Sequence, residues 1–280
     1  MRTLVHLSDL HFGRTDASLL DPLADVIQTI APDLVAVSGD LTQRARTGQF
    51  KAARAFLNRL PAPQIVVPGN HDVPLYDVIT RFTRPLARYR RYITGDLEPW
   101  FIDDEIAVVG INTARSMTFK DGRINEMQID RVRQRLCGLP TRILKIIVTH
   151  HPVDLPAGFR PEQLVGRAAL AREMLSACVC DLLLAGHLHR GVAAEGSARA
   201  TASAHEPIIV QAGTATSTRG RGEANSFNVI AIEPTLIEVK RYLWQVNLGV
   251  FAASESEHFA RSTTGWSQRR ADVNSIQLAK

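Results

Sequence analysis

The chain has 280 residues, of which 45% are hydrophobic and 22% charged, a balance that excludes intrinsic disorder as the default state. The formal net charge of +5 at pH 7 suits an anionic substrate but is too small to indicate nucleic-acid binding by itself. No apolar run is long enough for a signal peptide or a membrane span, so neither is expected.

Three cysteines, Cys137, Cys178 and Cys180, are too few and of the wrong parity for a disulfide framework. Such a set fits a reducing compartment, and we expect a cytoplasmic protein.

The first part of the chain alternates short apolar runs with segments of helical periodicity. Strands are predicted at 3–7, 34–37 and 65–67, and helices at about 19–30 and 50–60. This alternation favours βαβ units and a sheet with a parallel core.

The alternation continues through the middle of the chain and then changes to short strands. Further helices are predicted at 75–95, 129–136 and 164–175. Further strands are predicted at 106–111, 143–148, 181–185, 208–210, 227–232 and 236–244. With no obvious linker or internal repeat, we predict one domain over 1–249. Residues 250–280 are polar and are expected to form either a weakly ordered tail or an arm that packs on another element.

Five short polar motifs follow predicted strands. They are Asp9-Leu10-His11, Gly39-Asp40, Gly69-Asn70-His71-Asp72, His150-His151-Pro152 and Gly186-His187-Leu188-His189. In an open α/β sheet, sites gather outside the carboxyl ends of the strands, so these loops are expected to converge.

The residue types in these motifs are those that bind metals. Six of the nine histidines lie in them, histidine is the commonest metal ligand, and Asp and Asn supply hard oxygen ligands. In Asp9-x-His11 and His187-x-His189 the two side chains would point the same way in an extended chain. Each motif alone occurs commonly in turns, but all five in this order predict a metal site.

The series of motifs resembles the calcineurin-like metallophosphoesterase superfamily over about residues 3–245. Within it, the chain looks most like the bacterial class III 3′,5′-cyclic nucleotide phosphodiesterases. The narrower likeness rests on Gly39-Asp40-Leu41-Thr42, on His150-His151-Pro152, and on Gly122-Arg123-Ile124 with Gln128. The superfamily resemblance implies an α/β fold in which two mixed β-sheets lie between helices, in four αββα layers.

The resemblance also implies a role for each motif residue. One metal would be held by Asp9, His11, Asp40 and His189, and the second by Asp40, Asn70, His150 and His187. Asp40 would bridge the two ions, and His71 would face the substrate as a proton donor. His150 is assigned as the ligand because the superfamily ligand precedes proline by two residues, which leaves His151 as a neighbour.

Charge counting agrees with this assignment. Two divalent ions contribute +4, Asp9 and Asp40 contribute −2 and a bridging hydroxide −1, so the site retains +1 and attracts an anionic phosphodiester. Such a pair of ions activates water and stabilises charge on phosphate oxygens, while a nearby His71 can protonate the leaving oxygen. The expected cofactors are two divalent ions, Mn, Fe or Zn, between which the ligands do not decide.

The substrate is predicted to be a small anionic phosphodiester, with a 3′,5′-cyclic nucleotide preferred. A DNA exonuclease or other nuclease of the same superfamily is the first alternative. Against it, the chain lacks room for the extra domain those nucleases carry, and Thr42-Gln43 replaces their usual aromatic and acid. A phospholipid or nucleotide-lipid phosphoesterase is the second alternative, and no amphipathic segment supports it. A non-enzymatic metal-binding scaffold is disfavoured by the complete ligand set with His71. The oligomeric state, monomer or homodimer, stays open.

Three further features have two readings each. One basic group contains Arg44, Arg46, Lys51, Arg54 and Arg59; the other contains Arg81, Arg84, Arg88, Arg90 and Arg91. Both fit a solvated helix face or contact with phosphate. The Gly/Ser/Thr-rich loop 213–221, which includes Arg219, either lines the substrate cleft or is structural.

Overall fold

All the strands predicted from the apolar runs are present, with four more. The computed structural model describes residues 1–118, 120–196, 205–219 and 222–269. In chain order the strands are β1 (Arg2–Leu7), β2 (Leu34–Ser38), β3 (Gln64–Val67), β4 (Trp100–Ile102), β5 (Ile106–Ile111), β6 (Leu144–Thr149), β7 (Leu182–Ala185), β8 (Val192–Glu195), β9 (Ile208–Gln211), β10 (Ser226–Ile232), β11 (Leu236–Gln245), β12 (Val250–Ser262) and β13 (Gly265–Arg269). The strands that the sequence did not predict are β4, β8, β12 and β13.

The strands form two mixed sheets. The first has seven strands in the order β13-β12-β11-β10-β1-β2-β3, and the second has six in the order β4-β5-β6-β7-β9-β8. β1, β2 and β3 run parallel, as do β5, β6, β7 and β9. The parallel strands therefore end at shared edges of the sheets, where the polar motifs begin.

The helices cover the outer faces of the two sheets. They are α1 (Leu20–Ile30), α2 (Thr47–Leu57), α3 (Val78–Thr83), α4 (Ala87–Tyr92), α5 (Glu126–Leu136) and α6 (Ala168–Ala177). The helical segment predicted at 75–95 is interrupted because Pro85 disfavours helical backbone at Arg84, whose φ and ψ are −147° and 58°. The start of α5 is fixed by Asn125, whose side chain accepts from the backbone N–H of Gln128 at 2.9 Å.

Three apolar layers hold these elements together. Alternate residues of each central strand face opposite sides, so that Leu4 lies between the two sheets and Val5 lies under the helices of the first sheet. Phe50 of α2 packs in that outer layer, and Ile129 of α5 packs in the corresponding layer of the second sheet. Because the central strands of both sheets are buried on both faces, the predicted four-layer αββα fold is confirmed.

Residues 250–269 form an arm of the first sheet. β12 pairs with β11 and β13 pairs with β12, both antiparallel. Trp266 is only 2% exposed, and its indole N–H donates to Asp181 Oδ1 at 2.9 Å, which ties β13 to the second sheet. Residues 250–262 and 265–269 are thus strands of the first sheet, whereas 270–280 lie outside the described residues. The domain boundary at residue 249 stays a prediction.

The structure joins Cys137 and Cys178 by a disulfide, which the sparse cysteines did not predict. These residues follow the last residues of α5 and α6, and their Cα atoms lie 4.3 Å apart. Cys180 is buried and unbonded. The pairing depends on two helices, distant in sequence, ending side by side.

Among the described residues, no helix has both the length and the apolar character needed to cross a bilayer.

We predict that Trp266→Ala lowers the free energy of unfolding by about 3–5 kcal/mol, since it empties a buried site and leaves Asp181 with one donor fewer. Denaturant unfolding monitored by circular dichroism measures this. Trp100→Ala is the matched control because Trp100 is 46% exposed, and its loss should be smaller. A loss for Trp266→Ala as small as that for Trp100→Ala would mean that the arm contributes little to the free energy of unfolding.

Candidate metal centre

The polar motifs meet at one edge of the sandwich. Asp9 and His11 follow β1, Asp40 follows β2, and Asn70 and His71 lie in a single 3₁₀ turn after β3. His150 follows β6 of the second sheet, and His187 and His189 follow β7. The structure therefore brings together the loops from both sheets, as predicted from their positions after strands.

The backbone at this edge differs from the extended chain assumed from the sequence. Five of the predicted ligands have positive φ, between 48° and 70°: Asp9, His11, Asp40, His187 and His189. Residues with side chains rarely adopt this conformation, and it persists where the surrounding structure enforces it. The side chains two apart do serve one cluster, but through left-handed turns. Strain of this kind is concentrated at functional sites.

A close backbone contact accompanies these turns at Gly186. A Cβ there would collide with Ser8 Oγ and lie 2.7 Å from Asp9 Oδ2. Any other residue would push the His187 loop away from Asp9, which accepts from the His187 backbone N–H at 3.0 Å.

The first group of possible ligands contains Asp9, His11 and His189. Asp9 Oδ1 lies 3.1 Å from His189 Nε2 and 3.4 Å from His11 Nε2, and the two imidazole nitrogens are 3.4 Å apart. All three side chains are buried. Asp9 Oδ1 has no hydrogen-bond partner within the described part of the chain, so this oxygen is available to a cation.

The second group surrounds His150. Its Nε2 lies 3.1 Å from Asn70 Oδ1 and 3.4 Å from Asp40 Oδ2. Its Nδ1 donates to the carbonyl oxygen of Ser38 at 2.8 Å, so a neutral ring presents a lone pair at Nε2. As a metal ligand the ring must be neutral, and three acceptor atoms then converge, an arrangement that a cation stabilises. The donor atoms thus fit a divalent metal.

His187 and His151 complete this side of the site. The His187 ring centroid is 5.1 Å from that of His150 and 4.6 Å from that of His151, and the three residues together could hold an ion. His151 Nδ1 is also 2.7 Å from Thr113 Oγ1, which orients its ring. His151 was predicted to be a neighbour of the ligands only. In the structure it lies close enough to His150 and His187 to bind an ion together with them.

Asp40 lies between the two groups. Its Oδ2 is 3.7 Å from His11 Nε2 on one side and 3.4 Å from His150 Nε2 on the other, and its Oδ1 accepts from the His71 backbone N–H at 2.8 Å. Burial raises the pKa of Asp40, but the charge of His150 and its hydrogen bond lower it by more. The pKa of Asp40 is therefore below its usual range. Burial lowers the pKa of His150, and Asp40 then raises it to about 9 overall.

Asp72 orients two of these loops, a role that the sequence did not reveal. This buried carboxylate accepts from the backbone N–H groups of Gly69, Leu41 and Thr42 at 2.9–3.1 Å, and from Thr42 Oγ1 at 2.9 Å. Burial, followed by the charge of Asp40, raises the pKa of Asp72 to about 6. Asp72 is the last residue of the Gly69–Asp72 motif, but its hydrogen-bond partners on the Asp40 loop cannot be identified without the fold.

His71 stands at the open side of the cluster and is 20% exposed at its side chain. Its Nε2 lies 4.0 Å from Asp40 Oδ2, and its Nδ1 donates to the Gln43 carbonyl oxygen at 3.0 Å. Arg219 Nη1 is 3.0 Å from Nε2, and Arg44 Nη1 is 3.4 Å from Nδ1. Burial, opposed by Asp40, lowers the pKa of His71.

The two basic groups divide between structural contacts and the site. Arg81 is buried and donates to the carbonyl oxygens of Pro74 and Ser116 at 2.9 and 2.8 Å, so the solvated-face reading is wrong for it. Arg54 and Arg88 also bind backbone oxygens. Arg44, by contrast, contacts His71, with its Nη1 3.4 Å from Nδ1.

Comparison with known proteins places these observations in a family. A family model described as calcineurin-like phosphoesterase matches residues 2–191. The glycerophosphodiester phosphodiesterase GpdQ of Enterobacter lignolyticus is 35% identical over 80 residues, covering 25% of this chain and 29% of that protein. A probable GpdQ of Arcobacter nitrofigilis is 26% identical over 164 residues, or 57% of each chain. The matches thus span 29% and 57% of these relatives' own lengths.

The 3′,5′-cyclic adenosine monophosphate phosphodiesterase CpdA of Escherichia coli K12 is 23% identical over 206 residues, covering 67% of this chain and 69% of that protein. Solved structures share the fold at low identity. PhoD has a TM-score of 0.70 at 10% identity over 98% of this chain and 72% of its own. A dimetal phosphatase from Danio rerio has a TM-score of 0.66 at 14% identity over 93% of this chain and 99% of its own. The chain belongs to the calcineurin-like phosphoesterase family, whose members use two divalent metal ions.

Proposed function

We propose that the protein hydrolyses a phosphodiester with two divalent metal ions, and that its substrate is a 3′,5′-cyclic nucleotide. The observation that carries the proposal is the position of the Asp40 carboxylate between two groups of buried imidazoles, 3.7 Å from one and 3.4 Å from the other. A shared carboxylate of this kind suits two ions held side by side.

We assign the ligands as the sequence predicted. Asp9, His11, Asp40 and His189 would hold one ion, and Asp40, Asn70, His150 and His187 the other. The contacts within each group support this division, since Asp9 faces His11 and His189 while Asn70 faces His150. His151 is within reach of the second group but is held by Thr113.

The metal ions, when bound, activate a water molecule as nucleophile and stabilise the charge that develops on the phosphate oxygens. The protein must supply the remaining proton, which goes to the leaving oxygen. His71 faces the open side of the site, and its Nε2 points towards Asp40 while Nδ1 is fixed by Gln43. We assign His71 as the proton donor, because a substrate oxygen beside Asp40 would lie within reach of Nε2. That nitrogen faces Arg219 in the free protein, so the role requires the imidazolium form of His71 in the substrate complex.

Several observations bear on the substrate. The named relatives act on a cyclic nucleotide or on glycerophosphodiesters, and both are small diesters carrying one negative charge. The net charge of +5 is modest for a nuclease. A glycerophosphodiester is therefore the second candidate, and DNA ranks below both. We also propose a cytoplasmic location from the small number of cysteines, although the Cys137–Cys178 disulfide counts against a reducing compartment. We leave homodimer formation to measurement of solution mass.

We predict that Asp40→Asn reduces metal content more than His189→Ala does, because only Asp40 contacts both groups of ligands. The measurement is elemental analysis of purified protein supplied with excess Mn²⁺. Asp130→Asn is the control, since that carboxylate pairs with Arg133 on the surface of α5. Wild-type protein should bind two ions per chain, and binding of one ion or fewer would refute the dinuclear assignment.

We predict hydrolysis of a 3′,5′-cyclic nucleotide, with single-stranded and duplex DNA left intact at equal enzyme concentration. Any DNA binding should be electrostatic and lost as salt is raised. A panel of cyclic nucleotides, glycerophosphodiesters, phosphomonoesters, lipid esters and DNA tests this with Mn-loaded protein. Degradation of DNA ends would favour the nuclease alternative, and preference for glycerophosphocholine would favour the second candidate.

We predict that His71→Ala lowers kcat/KM by roughly 10²–10⁴-fold on a natural diester, the usual range for general acid catalysis. The loss should be much smaller on bis(4-nitrophenyl) phosphate, because nitrophenolate leaves without a proton. Both metals should remain bound, which elemental analysis checks beside the kinetics. Equal losses on the two substrates with metal retained would show that His71 binds phosphate instead, and loss of metal would show that it is a ligand.

A further inference from the structure

Arg219 lies at the mouth of the metal centre, on the loop that follows β9. That loop is tied to the Asp9 loop, since the Ala215 backbone N–H donates to the Ser8 carbonyl oxygen at 3.0 Å and Thr216 Oγ1 donates to that of Leu10 at 2.8 Å. The Arg219 backbone N–H donates to Ser217 Oγ at 3.1 Å. These bonds fix the chain immediately before Arg219 against the same loop that carries Asp9 and His11.

Within the part of the chain that the structure describes, the guanidinium of Arg219 contacts only neutral acceptors. Its Nη1 is 3.0 Å from His71 Nε2 and 3.5 Å from Gln43 Oε1. No ion pair to Arg219 is found within the described ranges, whereas neighbouring Arg190 pairs with Glu223 at 3.5 Å. A partly buried cation in contact with His71, and without a carboxylate partner among the residues described, is suited to an anionic ligand.

Arg44 approaches the other nitrogen of His71, Nδ1, but it has further contacts. Its Nη1 donates to the Gln43 carbonyl oxygen at 3.2 Å, and its guanidinium lies over the Tyr76 ring at 5.6 Å from the centroid. Arg44 thus has contacts that hold it in place without substrate. Arg219 instead approaches Nε2, the His71 nitrogen that lies 4.0 Å from Asp40 Oδ2, where the substrate is expected.

We propose that Arg219 is a substrate-binding residue that donates to a non-bridging oxygen of the substrate phosphate. The inference rests on the proposed function and adds a residue of this chain that would hold the phosphate beside His71. A phosphate oxygen is a stronger acceptor for a guanidinium than His71 Nε2 or Gln43 Oε1, because it carries charge and matches the planar fork. Arg219 therefore leaves His71 when the substrate binds and takes the phosphate oxygen in its place.

The test separates phosphate binding from proton donation. Arg219→Ala should lower kcat/KM by about 10–100-fold, the worth of one hydrogen bond between charged groups. The loss should be equal on the cyclic nucleotide and on bis(4-nitrophenyl) phosphate, because the phosphate is common to both while the leaving groups differ. The inhibition constant of inorganic phosphate should rise by a similar factor. Arg219→Lys should recover part of the loss, since it restores the charge without the fork.

Metal content and melting temperature should stay at wild-type values in Arg219→Ala. Arg133→Ala is the matched control, because Arg133 is an exposed arginine paired with Asp130 on α5 and should leave every parameter unchanged. An unchanged kcat/KM and inhibition constant would overturn the proposal. A loss confined to the cyclic nucleotide would also overturn it, since that result would place Arg219 in proton transfer through His71, and a loss of metal would show a structural role.

The two proposals can fail separately. If wild-type protein hydrolyses none of the diesters, the proposed function fails, but binding of inorganic phosphate to Mn-loaded protein can still be measured by calorimetry. Weaker phosphate binding by Arg219→Ala than by Arg133→Ala would then still support the role of Arg219. Equal binding by the two variants would overturn it.

Discussion

The position of one carboxylate, that of Asp40, determines how the rest of the site is arranged. It is buried between imidazoles from both sheets, and one of its oxygens is held by the His71 backbone N–H at 2.8 Å. A buried carboxylate beside a second one, Asp9, is costly unless cations compensate both charges. The protein surrounds the pair with imidazoles and leaves Asp9 Oδ1 without a hydrogen bond within the described part of the chain. The site is therefore stable and useful only when positive charge is present.

Three of the ligands, Asp9, Asp40 and His150, are oriented by backbone groups of other loops. Asp9 Oδ2 accepts from Ser8 Oγ at 2.6 Å and from the His187 backbone N–H, while His150 is fixed by the Ser38 carbonyl oxygen before Asp40. Asp72 joins the Asp40 loop to the Gly69 loop. Such partners set the ring tautomer and the direction of the lone pair, and so they determine metal affinity as much as the ligands do. The same cross-links hold five residues in left-handed backbone conformations.

Much of the fold and of the site could be predicted because the pattern is local. The buried parallel strands are continuous apolar runs, and each predicted ligand lies within a few residues of a strand end. The features that could not be predicted depend on contacts between segments that are distant in the sequence. The disulfide needs α5 and α6 to end side by side, and β13 needs Asp181 as a partner for Trp266. The left-handed turns were also missed, because Asp and His adopt positive φ more often than most residues but still only in a minority of cases.

The ligand set cannot by itself decide which diester is hydrolysed. This chain matches relatives named for glycerophosphodiesters and for cyclic adenosine monophosphate. Both of these substrates contain the same reacting group, a phosphodiester. Discrimination must come from side chains that meet the rest of the substrate, on loops beyond the metal ligands. In this chain those positions hold Gln43, Arg44 and Tyr76 on one side of His71 and Arg219 on the other. The four come from three separate loops, so the substrate-facing wall can change while the cross-linked ligands stay fixed.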